Sequence, residues 1–326
     1  MSIGATLVAS LLATLSQPRT WPIALAAFLV RGGILVVLAP IVVVPSAIGV
    51  ANAITPTVTT FVFGGLSTEL IALAGGTSAL LLVWLVLGGL FAAAAELELV
   101  ARVARDDAVA VEAHVRTIVV RSSGRAARVL IARLIAHLPT VLALVWGTAR
   151  VVEVAYRELT QPLEVTIPLA LRVAAGAPDA IVAVALTWVL GEIVGAIAAR
   201  RVAFQGAGVL RAVGGGLRRL VRHPFRAIVL YLVPAAALLG VLIPSALAAA
   251  TGWDAVRAAL TGGEGPIITV LTLLVFVGLW AGGLVLAAAM TAWRAAAWTV
   301  DAAVLVQAAS RPPRSEDIYE DTYAEA

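Results

Sequence analysis

Six stretches of this chain are long enough to cross a bilayer and carry few charges or none: Trp21–Pro45, Gly76–Ala95, Leu134–Ala155, Val173–Ala199, Pro224–Ala250 and Pro266–Met290. A helix needs about 20 apolar residues to cross a ~30 Å hydrocarbon layer. Within that layer each backbone donor and acceptor must be satisfied internally, which leaves only helices and closed barrels. The chain is 61% hydrophobic and 13% charged, with a mean hydropathy of +1.02. Soluble domains sit near 45–50% and about 25% respectively. The expected fold is an all-α integral membrane protein of about six transmembrane helices over residues 1–309, followed by a disordered acidic tail, 310–326.

Two further apolar segments need placing. Ser46–Gly75 has Glu69 as its only charge but is interrupted by Pro56, Gly64 and Gly65. It reads as a loop lying on or dipping into the membrane, with a seventh span as the alternative. Ala5–Leu15 is apolar too, yet its first charge, Arg19, follows it. That is the wrong polarity for a secretory signal, so an interfacial helix is expected.

Arginine sets the expected orientation. All 23 basic residues are Arg. With the N-terminus inside, eighteen of them fall in cytoplasmic segments and only Arg157, Arg172 and Arg257 in outer loops. Cytoplasmic loops carry the excess of basic residues, so both termini are expected in the cytoplasm. Trp21, Trp293, Trp298 and Trp253 fall near expected span ends as interfacial anchors. Trp84, Trp146, Trp188 and Trp280 are mid-span and read as packing residues.

Self-comparison divides the chain into three hairpin units, about 1–105, 106–203 and 204–309. Pro22, Pro139 and Pro224 open the odd spans. WLVLGG from Trp84, WVLG from Trp188 and WAGG from Trp280 recur in the even ones. VVVPSA at Val42–Ala47 and VLIPSA at Val241–Ala246 read as matching span exits. Small residues four apart, Gly88 and Ala92, Gly191 and Gly195, Gly278 and Gly282, are expected where helix backbones approach closely. Each unit opens with an interfacial amphipathic segment: Ala5–Leu15, Ala108–Val120 and Val209–Leu220. In the last, Arg211, Arg218, Arg219 and Arg222 are candidates for anionic lipid headgroups, since a cation near the membrane surface is worth ~1 kcal/mol. No acid occurs from Arg200 to Arg226.

The segment Leu217-Arg218-Arg219-Leu220-Val221-Arg222-His223-Pro224, leading into Tyr231-Leu232-Val233, resembles the membrane domain attached to some bacterial glycerophosphoryl diester phosphodiesterases and related polytopic proteins. The resemblance implies a membrane architecture in a bacterial plasma membrane and carries over no catalytic residue, because that group's catalytic barrel is a separate soluble domain.

Four charges fall inside spans: Arg31, Arg150, Glu153 and Glu192. Burying such groups costs at least ~2.5 kcal/mol each on insertion scales, so they are expected to pair. Arg31 lies ~13 Å from the inner end of its span and Glu192 ~12 Å from the same face at 1.5 Å per residue, which predicts an Arg31–Glu192 contact. Arg150 and Glu153, three apart, share a helix face.

Chemistry-bearing motifs are sparse. The chain has no Cys and three His, and HExxH, GxSxG and a phosphate-binding glycine loop are all missing from it. Asp106 and Asp107 read as a solvated pair. No enzyme, metal, cofactor or nucleic-acid partner is expected. Two function classes follow: a non-enzymatic module organising lipids or a membrane-protein partner at the inner face, or a transporter or channel for a small solute or lipid.

Overall fold

The computed structural model describes residues 1–39, 41–42, 67–104, 124–161, 166–263 and 265–309. Among them every regular element is helical: α1 (Ile3–Ser16), α2 (Pro18–Leu38), α3 (Ile71–Ala104), α4 (Gly124–Ala136), α5 (Leu138–Thr160), α6 (Leu169–Gly176), α7 (Pro178–Gln205), α8 (Val209–Arg222), α9 (Pro224–Thr261) and α10 (Pro266–Ala309). Six of these, α2, α3, α5, α7, α9 and α10, are long and apolar enough to cross a membrane. The chain is a multi-pass membrane protein. Ala108–Val120, Asp106–Asp107, the VVVPSA exit, most of Ser46–Gly75 and the tail from Ser310 lie outside the described residues, in whole or in part.

Proline marks helix starts as expected. α2 starts as a 3₁₀ turn, Pro18–Thr20, and Pro22 lies in the first turn of its α-helical part from Trp21; Pro139 lies in the first turn of α5 and Pro224 opens α9, positions where proline is tolerated. Pro244, in the VLIPSA exit, lies inside α9 together with Pro234, and the helix continues past it to Thr261. The third span begins at Leu138, not Leu134. His137 breaks the helix, and residues 124–136 form a separate amphipathic helix, α4.

The residues cluster into two compact units. The first comprises Met1–Ser16, Val100–Leu232 and Ala295–Ala326. Its centre is α7, packed against α4, α5 and α8, with Ile193, Ile197, Leu220, Leu230 and Trp298 in one buried cluster. Glycine makes the close approaches. A Cβ at Gly191 would stand 3.0 Å from the Ala136 carbonyl oxygen, and one at Gly216 would stand 3.0 Å from that of Val194. Gly206 adopts φ +62°, ending α7 in the left-handed conformation that glycine takes without steric cost.

The second unit comprises Gln17–Leu99 and Val233–Arg294. Ala249, Val256 and Phe276 form its buried cluster, flanked by Ile41, Trp253 and Trp280. Trp280 donates its indole N–H to the Val37 carbonyl at 3.2 Å. Within α2, residues Leu29–Gly33 form a π turn with Gly32 at φ +102°. Gly278 and Gly282 have nothing within 4 Å of a Cβ position; the close approach falls one residue on, at Gly283 against Ser245. Trp84, Trp146 and Trp188 are about half exposed and so face the surroundings, not the core. Trp298, expected as an anchor, is 4% exposed and belongs to the core. A helix's rotation about its axis is set by its neighbours, which span hydropathy does not encode.

Candidate anion-binding site

The intramembrane charges are paired, though not all with the expected partners. Arg31 donates to Glu96 at 2.5 Å, and Glu192 faces His137 at 3.4 Å and Arg133 at 3.8 Å. Depth predicts Arg31 opposite Glu192; the pairs seen within each unit are Arg31–Glu96 in the second and Glu192 with His137 and Arg133 in the first. Matched depth along two helices does not fix the direction in which each side chain points, and Glu96 lies one residue beyond the expected span. Arg150 pairs with Glu153 at 2.9 Å as expected, and its Nε also faces Asp179 at 3.4 Å. Buried Glu158 pairs with Arg172 at 3.3 Å. Arg172 is one of the three arginines expected in outer loops.

A different concentration of charge sits in the first unit, beside α8. This helix presents three stripes. Ala212, Gly216 and Leu220 are buried, against α4 and α7. Leu210, Leu217 and Val221 are apolar and 54–77% exposed. Arg211, Arg218 and Arg222, each one position further along, are exposed as well. Spacings of seven and four bring residues back to one helical face, so the apolar and cationic stripes run side by side. Arg219 departs from its fellow candidates and turns inward to pair with Asp301.

Asp301 is 1% exposed and held from two sides. Arg219 engages Oδ2, while Arg226 donates to Oδ1 from Nε at 2.8 Å and approaches it with Nη2 at 2.7 Å. Arg226 also donates to the Met1 carbonyl at 3.1 Å and to Thr6 Oγ1 at 3.3 Å, fastening α1 to the network. Burial pushes the Arg219 guanidinium below its usual value. The attraction of Asp301 opposes that, and repulsion from Arg226 and Arg201 adds to it.

Next to this network lies a cavity of about 260 Å³, well above the ~10–15 Å³ a single water needs. Arg200, Arg201 and Arg219 line it together with Gln205, Trp298 and Asp301. Asp301, Trp298 and Arg200 are buried, while Gln205 and Leu305 are exposed at the rim. Arg200 is anchored by its Nη2 to the Ala295 carbonyl at 3.0 Å. Arg201 lies against α8 at Gly215, where any Cβ would overlap its guanidinium. Its Nε–H is buried and meets no acceptor among the described residues. Within the glycine run Gly214–Gly216, no phosphate loop by sequence, Gly215 and Gly216 are what let Arg201 and α7 come this close to α8.

The sequence reading missed Arg200, Arg201 and Asp301 as site residues. One signal was available: an arginine-rich stretch without an acid needs counter-charge from elsewhere, and Asp301 is the lone acid in the apolar segment around Trp298. No family model, curated protein or solved structure matches the chain.

Proposed function

We propose that this chain is a non-enzymatic, multi-pass membrane module that gathers anionic lipids at the cytoplasmic face through α8. The observation that carries this reading is the pair of adjacent exposed stripes on α8, Leu210/Leu217/Val221 and Arg211/Arg218/Arg222. A helix lying in the membrane interface buries an apolar face among acyl chains and offers cations to headgroups. Cytoplasmic placement follows from the arginine asymmetry of the sequence, and α1 and α4 are further amphipathic candidates for the same surface. The intramembrane charges Arg31, Arg150, Glu153 and Glu192 are engaged in ion pairs, and all but Glu153 reach a partner on another helix, as clamps do. A transporter or channel would need them to line a polar path, which makes transport the second reading.

The test is the lipid composition that stays with the protein. Full-length chain extracted in native polymer-bounded discs is expected to be enriched in anionic lipid over the bulk membrane. Arg211→Gln/Arg218→Gln/Arg222→Gln is expected to abolish most of that enrichment. Equal lipid composition around both proteins would end this reading.

A further inference from the structure

We propose that the acidic segment Glu316–Glu325 of this chain docks on the exposed face of α8, where it competes with anionic lipid for Arg211, Arg218 and Arg222. The competition rests on the lipid-gathering role of that stripe; the docking does not. Arg211, Arg218 and Arg222 are exposed and meet no acid among the described residues, and the sequence holds none from Arg200 to Arg226. Their counter-charge has to come from outside that stretch. From Ser315 onward the sequence carries five acids, Glu316, Asp317, Glu320, Asp321 and Glu325, and no base.

The end of α10 delivers this segment to α8. Asp301 on α10 pairs with Arg219 on α8, and α10 ends at Ala309, ~12 Å further along at ~1.5 Å per residue. Ser310–Ser315 can span about 20 Å when extended, enough to return Glu316 to the level of Arg219 and its neighbours Arg218 and Arg222. Exposed ion pairs are individually weak. A short tether offsets that weakness, because it holds the partners at an effective concentration on the order of mM.

The apolar residues match as well. Read at the helical period of ~3.6, Ile318, Tyr319 and Tyr323 fall on one side of the segment and its five acids on the other. On α8, Leu210, Leu217 and Val221 run beside the arginines in the same way. A segment that orders on contact can lay its apolar side on that stripe while its acids meet the cations.

The chain has no cysteine, so a pair introduced as Gly214→Cys and Thr322→Cys reports contact cleanly. Gly214 is exposed, a Cβ there meets nothing within 4 Å, and its spacing sets it on one face with Arg211 and Arg218. The experiment oxidises the full-length pair mildly in non-ionic detergent and follows the rate of disulfide formation. Arg211→Gln/Arg218→Gln/Arg222→Gln is expected to slow it at least about threefold, and so is Glu316→Gln/Asp317→Asn/Glu320→Gln/Asp321→Asn/Glu325→Gln. Salt at about 1 M should slow the unaltered charges likewise. Thermal midpoints certify that each variant is folded, and if the arginine variant does not fold, the acid variant decides. Equal rates with and without the charges overturn the docking.

Lipid analysis of native discs separates docking from competition. The chain with its five acids neutralised is expected to retain at least about twofold more anionic lipid than the unaltered chain. Equal lipid in the two, with the disulfide slowed, overturns the competition and leaves the docking. A slowed disulfide with no anionic enrichment in either protein removes the lipid reading and again leaves the docking. Enrichment that depends on the α8 arginines, with disulfide rates that do not, is the reverse pattern: the lipid reading stands and this proposal falls.

Discussion

Arg226 holds the buried carboxylate of Asp301 with two nitrogens, Nε at 2.8 Å and Nη2 at 2.7 Å. The same guanidinium reaches the Met1 carbonyl and the Thr6 hydroxyl. One side chain at the start of α9 thus joins the end of α10 to α1, and Arg219 on α8 completes the set. Ion pairs this buried add little net stability while intact and are costly to break, because removal of one member leaves the other charged and desolvated.

Asp301→Asn is therefore expected to destabilise the protein by about 3 kcal/mol, the lower end of the range for a broken buried pair, since Arg219 and Arg226 keep some solvent exposure. Thermal unfolding in detergent measures it. The same variant should expose α1 to protease, because Arg226 then lacks the carboxylate that orients it. An unchanged midpoint together with a protected N-terminal helix would contradict the role given to Asp301.

Arg31 and Glu96 offer a charge-reversal test. Arg31→Glu places two acids together in a site where Glu96 is 4% exposed, and about 3 kcal/mol or more should be lost. Arg31→Glu combined with Glu96→Arg should recover most of that loss. Arg31→Glu combined with Glu192→Arg should not. Rescue by the second pair and not the first would restore the partner expected from depth.

Glycine substitutions separate packing sites from lipid-facing ones. Gly191→Ala sets a methyl 3.0 Å from a backbone oxygen, that of Ala136, which cannot swing away as a side chain can. A loss of about 1–3 kcal/mol is expected, as for overpacking generally. Gly278→Ala meets nothing within 4 Å and should be neutral or gain up to about 1 kcal/mol from helix propensity. Paired unfolding curves check both, and equal effects would mean that the two sites share an environment.

Ionic strength should test the exposed arginine stripe of α8. Exposed charges are screened beyond a Debye length of ~10 Å at 0.1 M salt and ~3 Å at 1 M, while buried ones are screened much less. High salt is expected to strip the anionic enrichment owed to Arg211, Arg218 and Arg222. Lipid analysis after washes of rising salt reads the outcome, and enrichment that survives about 1 M salt would argue against exposed arginines as its source.

Much of the architecture was legible because lipid enforces a simple rule: long apolar runs must be helices. All six expected spans are present as long apolar helices, and α8 was visible from its arginines. Local pairs were legible too, since Arg150 and Glu153 lie three residues apart on one helix. What escaped was rotational. Trp188, mid-span and expected to pack, is 56% exposed, while Trp298, expected as a span-end anchor, is 4% exposed. Glu96 and Asp301 were overlooked because each lies beyond the expected end of a span, where an acid usually meets water. Gly191 and Gly278 both head a small-residue pair, and only the neighbouring helix decides which is used.

The π turn of α2 bears on the bilayer itself. Gly32 leaves the helical conformation in the middle of a span, and Arg31 beside it is 28% exposed along its side chain. Hydrocarbon cannot solvate a guanidinium or an interrupted backbone ladder, and membranes accommodate such groups by local thinning and water defects. Glu96, 2.5 Å from Arg31 and 4% exposed, answers that guanidinium from inside the protein, some ~13 Å along the helix from Pro22 at ~1.5 Å per residue, so the bilayer is spared a charge that the sequence alone would set in it.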